Sequence, residues 1–196
     1  MSPPRSGATP RKQVFFVCYN RATVEDARNV TDEFKGLPIE QIVEQIDKRG
    51  VELEIAIENL ERDFNMGTIV RSANAFGVRT VHVIGRRQWN KRGAMMTDKY
   101  LTVRYHASVD EFMTNISEKV LIAVDNVEGS QPLAQTALPA NAVLLFGAEG
   151  PGISSELLAD AEVIVAIEQL GSTRSLNVGV AAGIAMYNWL YQHKLF

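Results

Sequence analysis

Between Pro38 and Gly50 the chain reads PIEQIVEQIDKRG, with Ile39, Ile42, Val43 and Ile46 spaced three and four apart. Residues so spaced share one face of a helix, so the segment predicts an amphipathic helix opening at a proline and ending at a glycine. The period then drops to two. VELEIAIEN predicts a strand over residues 51–57 and VRTVHVIG another over residues 78–85, with a helix over residues 66–76 between them.

Further on, KVLIAVDN (119–126), NAVLLFG (141–147) and AEVIVAI (161–167) are short, β-branched and almost wholly apolar. Strands covered on both faces in a parallel sheet read this way. Helical patterns separate them over residues 109–118 and 154–159, and a last helix is expected over residues 176–193. Alternation of strand and helix predicts an α/β fold, a mostly parallel sheet flanked by helices.

The chain has 196 residues, 46% hydrophobic and 22% charged, which suits one globular domain with an appendage at one end. Its first thirteen residues, MSPPRSGATPRKQ, are polar, basic and proline-bearing, and read as a disordered tail without the apolar core of a secretory signal. No segment approaches the roughly 20 apolar residues that span a bilayer, so a soluble, cytoplasmic protein is expected. Cys18 stands alone, which excludes an internal disulfide, and three scattered histidines predict no metal site.

A formal net charge of −3 removes the simplest argument for nucleic acid and leaves only local patches. One is GRRQWNKRG, where Arg86, Arg87, Lys91 and Arg92 surround Trp89. Cations suit phosphates and an indole can stack on a base, so this loop is a candidate RNA contact. The alternative is an ordinary solvated loop.

In parallel sheets ligands sit beyond the carboxyl ends of the strands, and three loops concentrate unusual residues there. In NLERDFNMGTIVRSANAFG, Asn65 is placed to cap a helix that turns Ile69, Ala73 and Phe76 inward and ends at Gly77. Arg71 lies about 200° around that helix from Ile69 and points away from the core. In VLLFGAEGPGIS, Gly147 and Gly152 stand as in a phosphate loop, but Ile153 occupies the lysine position. Glu149, among turn amides, can brace that loop by accepting N–H bonds.

The third loop leads into IEQLGSTRSLNVGVAAGIAMYNW, where Ser175 can cap a helix whose Gly179, Gly183, Ala181 and Ala182 permit close packing. Close packing does not account for Arg174, Ser175 and Asn177 at its start.

Taken in order, NMGTIVR, FGAEGPGIS and SLNVGVAAGIA closely resemble the three motifs of the TrmH (SpoU) family, within the SPOUT superfamily of RNA methyltransferases. The resemblance covers residues 55–191. It implies a 2'-O-methyltransferase that uses S-adenosylmethionine on tRNA or rRNA, without a metal. It also implies a deep trefoil knot at the C-terminal end of the sheet, and a homodimer with the site near the subunit interface. Residues 1–50 would form a tail and helical extension, and residues 51–196 the methyltransferase domain.

Carried over residue by residue, the resemblance puts cofactor contacts at Gly147, Ile167 and Leu176, with Leu145 and Gly152 beside the glycine loop. Arg71 matches the catalytic arginine and Asn65 the asparagine that holds it or the substrate. Glu149 would fix the loop, Ser175 and Asn177 would orient cofactor, arginine or ribose, and Arg174 would join the RNA-contacting set. A guanidinium stays protonated in proteins, so phosphate binding and stabilisation of the attacking oxygen suit Arg71 better than proton removal.

The sequence departs from the pattern where Ile167, Glu168 and Gln169 stand in place of Ile-Pro-Met, and where Gly179 replaces a common serine. These changes bear on the substrate subgroup. Two other classes stay open: an RNA-binding module that has lost catalysis, disfavoured because Arg71 and the glycine loop are present, and a different nucleotide-binding enzyme, disfavoured by Ile153.

Overall fold

The structure is a computed structural model, and it describes residues 28–59, 65–148 and 150–194. The N-terminal tail with Cys18, and Glu149, lie outside the described residues.

Seven strands form one parallel sheet: β1 (Glu54–Asn59), β2 (Thr80–Gly85), β3 (Thr102–His106), β4 (Val120–Val124), β5 (Gln131–Pro132), β6 (Ala142–Phe146) and β7 (Val163–Ala166). Their spatial order is β3-β2-β1-β6-β4-β7-β5, and every pairing is parallel. Helices α1 (Ile39–Asp47), α2 (Asn65–Ala75), α3 (Val109–Asn115), α4 (Ser155–Asp160) and α5 (Val178–His193) connect or follow them. The alternation read from the sequence is therefore the observed one, with boundaries moved by a few residues.

Two strands escaped that reading. β3 is TVRYH, an edge strand whose exposed positions carry Thr102 and Arg104, so it lacks the apolar run of a central strand. β5 has two residues, too few for any period. Residue 51 makes only an isolated bridge to Val78, and the regular strand begins at Glu54.

Strand side chains alternate between two apolar layers. Ile55, Ile57, Val83, Leu144 and Phe146 face one cluster that includes Ile69 and Ala73 of α2 and Ala182, Met186 and Trp189 of α5. Ala56, Leu121, Val143 and Leu145 face the other, with Phe112 of α3 and Leu157 of α4. A fully buried aliphatic side chain contributes about 1.5–3 kcal/mol, so these two layers supply the main folding force.

Local signals set the helix ends. Ser108 accepts from Glu111 N–H at 3.2 Å while Glu111 accepts from Ala107 N–H at 2.8 Å, a reciprocal cap that opens α3. Ser154 opens α4, and Gly77, at φ +80°, closes the α2 segment as expected. Helix α1 follows Pro38 and buries Ile42 in a small separate cluster with Phe34 and Tyr100. Arg79 ties this appendage to the sheet, reaching Asp47 at 2.7 Å and the carbonyl of Tyr100. Among the described residues, no helix is long and apolar enough to cross a membrane.

Two positions differ from expectation in instructive ways. Asn177, and not Ser175, caps α5, because its Oδ1 accepts from both Gly179 N–H (3.0 Å) and Val180 N–H (3.3 Å). Gly179 lies tight against Thr68, with 3.1 Å left for a side-chain carbon, whereas Gly183 faces open space and no close neighbour explains it.

A buried polar row crosses β1, β2 and β3 beneath α3. Glu54 Oε2 lies 2.7 Å from His82 Nε2, and His82 Nδ1 lies 2.8 Å from His106 Nε2. If His82 donates to the carboxylate, its other nitrogen accepts from His106, and His106 Nδ1 is left buried without a partner. Burial, followed by the charge of His82, holds His106 below the ordinary histidine value. Burial pushes Glu54 up, but the His82 hydrogen bond and Lys119 outweigh it and hold the carboxyl below its usual value.

Both shifts act in the same direction. With His106 depressed, the unfolded chain takes up its proton first, so stability is full above about pH 6.5 and declines as pH falls through that range. The Glu54 contribution is present above about pH 4.3 and is lost as pH falls through its lowered folded value. Melting temperature should fall on acidification from about pH 7 to 5. His106→Leu should cost about 1–3 kcal/mol at neutral pH, by unpairing His82, yet flatten that slope. An unchanged slope in thermal denaturation at several pH values would count against His106 as its source.

Candidate functional site

The chain leaving β6 doubles back on itself at the carboxyl edge of the sheet. A Cβ at Gly147 would overlap the carbonyl of Gly152, so only glycine permits this contact, and Gly152 itself sits at φ +74°. Gly152 N–H donates to Ala148 O at 3.1 Å and closes the turn.

Carboxylates from both flanking strands hold this loop. Strand β6 lies between β1 and β4. From the β1 side, Glu58 Oε2 accepts from Ser154 N–H at 2.7 Å, and from the end of β4, Asp125 Oδ2 accepts from Ile153 N–H at 3.0 Å. Asp125 Oδ1 also accepts from Asn126 N–H at 2.8 Å. Charged acceptors make the stronger class of hydrogen bond, and Glu58 is only 4% exposed.

Neither carboxylate was singled out in the sequence. Asp125 carries a signal, a charge at the carboxyl end of an otherwise apolar strand. Glu58 carries none, because it fits the alternating pattern of a half-exposed strand.

This loop forms one wall of a cavity of about 460 Å³. The other walls come from Val124 at the end of β4 and residues 125–127 beyond it, from Ile167 and Gln169 after β7, and from Ser175 to Val178 and Ala181 at the start of α5. Gly147, Gly152, Ile167, Leu176, Ser175 and Asn177 thus share one cavity. Leu145 does not: it is wholly buried in β6 and faces the α3–α4 layer, because alternation along the strand turns it away. Ile153 borders the cavity but is only 6% exposed and packs in the same layer as Leu145, so a largely buried isoleucine stands at the phosphate-loop lysine position.

Asn177 joins the walls. Its Nδ2 donates to Asn65 Oδ1 at 2.9 Å, linking the starts of α5 and α2. Asn65 is the first residue of α2 and not the residue before it. With its oxygen capping α5 and its amine on Asn65, Asn177 is a framework residue. Ser175 is exposed at the cavity, and Arg174 is exposed beside it, its carbonyl held by Asn126 Nδ2 at 3.1 Å. Arg71 is exposed on α2 and is not part of the cavity wall.

The basic loop is partly committed to its own structure. Trp89 is half-buried and donates its indole N–H to Tyr105 Oη at 3.2 Å, with Lys91 Nζ 5.5 Å from its ring centre. Lys91 is paired with Asp98 at 2.8 Å, and the Arg87 guanidinium lies 4.8 Å from the Tyr105 ring centre. Trp89, expected as a stacking surface, is thus anchored at its ring edge by Tyr105 and partly covered by Lys91. Arg86 and Arg92 are exposed.

A family model described as the SpoU rRNA methylase family matches residues 52–187. The chain is 28% identical over 157 residues to the tRNA (guanosine(18)-2'-O)-methyltransferase of Thermus thermophilus, covering 75% of this chain and 78% of that protein. It is 28% identical over 162 residues to the enzyme of the same name from Escherichia coli, covering 75% and 66%. Among solved structures, the A. aeolicus TrmH/SpoU tRNA modifying enzyme shares the fold, with a TM-score of 0.70 at 21% identity over 80% of this chain and 82% of that one. With the family match spanning all three loops that build the cavity, the chain belongs to the SpoU rRNA methylase family.

Proposed function

We infer that this protein transfers a methyl group from S-adenosylmethionine to a ribose 2'-hydroxyl of tRNA or rRNA. The observation that carries the reading is the single cavity built by the glycine loop, the end of β7 and the start of α5. Its size lies within the usual range for small-molecule sites, about 300–1,000 Å³. Its apolar walls suit a heterocycle, and the Asp125 carboxylate among them suits a cationic ligand. The relatives named as tRNA 2'-O-methyltransferases supply the substrate class.

When bound, S-adenosylmethionine would supply a methyl group on a sulfonium; its transfer to the ribose 2'-oxygen would leave a neutral thioether, with the hydroxyl proton passing to solvent. The chain's own residues position and stabilise. Gly147, Gly152, Ile167 and Leu176 present backbone and apolar surface to the donor, and Ser175 offers a hydroxyl beside it. Arg71 binds the phosphate next to the target ribose and stabilises negative charge on the attacking oxygen. Arg174 and the exposed cations Arg86 and Arg92 extend the RNA-facing surface, and residues 51–196 form the catalytic unit. A cytoplasmic location accords with that substrate.

A phosphate-binding enzyme of another class is disfavoured, because the lysine position is buried at Ile153. Helix α5, which follows β7 in sequence, packs against α2 and reaches β4 and β6; the trefoil knot of the family is proposed for this C-terminal segment.

A second copy is proposed to cover α5. Val180, Ile184, Tyr187 and Tyr191 recur at positions 0, 4, 7 and 11 and form one exposed apolar stripe, beside which Gly183 leaves open space. Such a stripe is the usual mark of an interface.

Three outcomes are expected. With radiolabelled donor and total tRNA or rRNA, the label should map to a ribose 2'-oxygen, and Arg71→Ala should lower the rate by about 10²-fold or more while leaving donor affinity within about threefold. No transfer to any RNA, or a fully active Arg71 variant, would sink the respective claim. Glu58→Ala, which removes a group remote from the ligand, should weaken donor binding about tenfold in calorimetry, and Glu58→Gln should retain most of it. Equal affinity in all three proteins would show that the loop does not need its brace. In sedimentation, the wild type should run as a dimer and Tyr187→Glu as a monomer, whereas a monomeric wild type would refute the interface.

A further inference from the structure

Between β2 and β3 the chain makes two 3-10 turns, Lys91–Ala94 and Thr97–Lys99, joined by Met95 and Met96. Among the described residues these two methionines alone, besides glycines, have a positive φ, 48° and 66°. Left-handed backbone is strained for a long side chain, and Gly or Asn adopts it at less cost. The two side chains are also 52% and 51% exposed. A turn that served folding alone would need neither the strain nor the exposed apolar surface, and strain of this kind persists where the surroundings impose it.

Here the surroundings do impose it. Ala94 and Thr97, on either side of the pair, are buried, and the Thr97 hydroxyl donates to the Ala94 carbonyl at 2.6 Å. The first turn also meets α2 backbone to backbone, since a Cβ at Gly67 would stand 2.7 Å from Ala94 N. With both flanks fixed, Met95 and Met96 turn outward and line a second cavity, of about 390 Å³, which shares no residue with the first.

The rest of this cavity is polar and basic. Arg28 and Asn29, from the segment before α1, border it together with Lys91 and Arg92. Arg28 donates to the carbonyl of Leu37 at 2.6 Å, Lys91 is paired with Asp98, and Arg92 is exposed. Among the described residues no carboxylate is in the lining, so the cavity keeps a positive excess. An apolar protein segment would match the methionines but not the cations. A nucleotide of single-stranded RNA matches both, with a phosphate for the cations and a flat ring for the thioethers, which make favourable contacts with aromatic faces and wedge against bases. Arg71 follows Gly67 by four residues and so lies on the face of α2 that meets this turn.

We propose that this second cavity is a subsite for an unpaired nucleotide of the RNA, its base against Met95 and Met96 and its phosphate on Arg92 and Arg28. The proposal rests on the RNA reading given above and extends it. The segment before α1 thereby becomes part of substrate recognition, at a place separate from the donor.

RNA affinity is to be measured on the full chain with total tRNA and rRNA, at several salt concentrations. The double variant Met95→Gly, Met96→Gly should bind about fivefold or more weakly with an unchanged salt slope, because contact with a base releases no counterions. It should melt no lower than the wild type, since glycine adopts this backbone freely. Arg92→Gln should weaken binding and lower the slope by about one. Both variants should keep the donor affinity of the wild type. With 4-thiouridine in the RNA, near-ultraviolet irradiation of the wild type should cross-link it to the peptide that carries Met95 and Met96. Unchanged affinity in the methionine variant and cross-links elsewhere, in a protein that still methylates RNA, overturn the subsite and leave the methyltransferase reading intact. Loss of self-association in sedimentation with full RNA affinity assigns the cavity to a second copy and likewise overturns it. Failure of the wild type to bind either RNA overturns the RNA reading and this proposal together.

Discussion

The two carboxylates that grip consecutive amides, Asp125 on Ile153 and Glu58 on Ser154, set the geometry on which the cavity depends. A loop of glycines has many conformations open to it, and ordering it costs more entropy than ordering any other residue type. Closing that loop against Gly147 leaves its amides pointing away from any strand partner. The carboxylates reach them from the two strands beside β6, so the sheet itself dictates where the loop stands. Because Ser154 is also the cap of α4, the same grip fixes the start of that helix and sends the Ile153 side chain inward. The wall facing the donor is thus an extension of the sheet's register and not an independent surface loop.

Much of this fold was legible because its strands are buried on both faces. The segments AVLLF, VLIAV and VIVA could hardly be anything else at their lengths, and each appears where the apolar runs lie. What escaped was whatever depends on partners remote in sequence. The edge strand β3 is held by pairing with β2 and carries no strong pattern of its own. Asn65 reads as an ordinary cap and Asn177 as a polar residue near a helix start, and only the fold places these two, 112 residues apart, within 2.9 Å of one another. Ser175 was the nearer guess for a cap because serine often serves, and only the backbone path shows that Asn177 stands at the helix boundary. Leu145 was assigned by proximity to the glycines, yet one step along a strand reverses the face.

The basic loop illustrates a different limit. Four cations and an indole in nine residues suggest RNA by composition, but composition does not say how many charges are already spoken for. Here Asp98 takes Lys91, and Tyr105 engages both Trp89 and Arg87. These contacts shape the segment between β2 and β3, whose 3-10 turn packs on α2.

Arg71 remains apart from the cavity, and the helix explains by how much. It lies six residues beyond Asn65, about 9 Å along the axis of α2 at 1.5 Å per residue. The cavity and the proposed phosphate-binding cation are separate features of the surface, and under the proposed function the acceptor nucleotide would lie across both. In-line transfer needs the oxygen aligned with the departing sulfur, and that alignment has to come from contacts on the RNA on both sides of the ribose. Helices α2 and α5 pack against each other, so the proposed second copy covering the apolar stripe of α5 would stand beside this surface. On that reading one part of the chain would hold the donor and another would hold the RNA that brings the ribose to it.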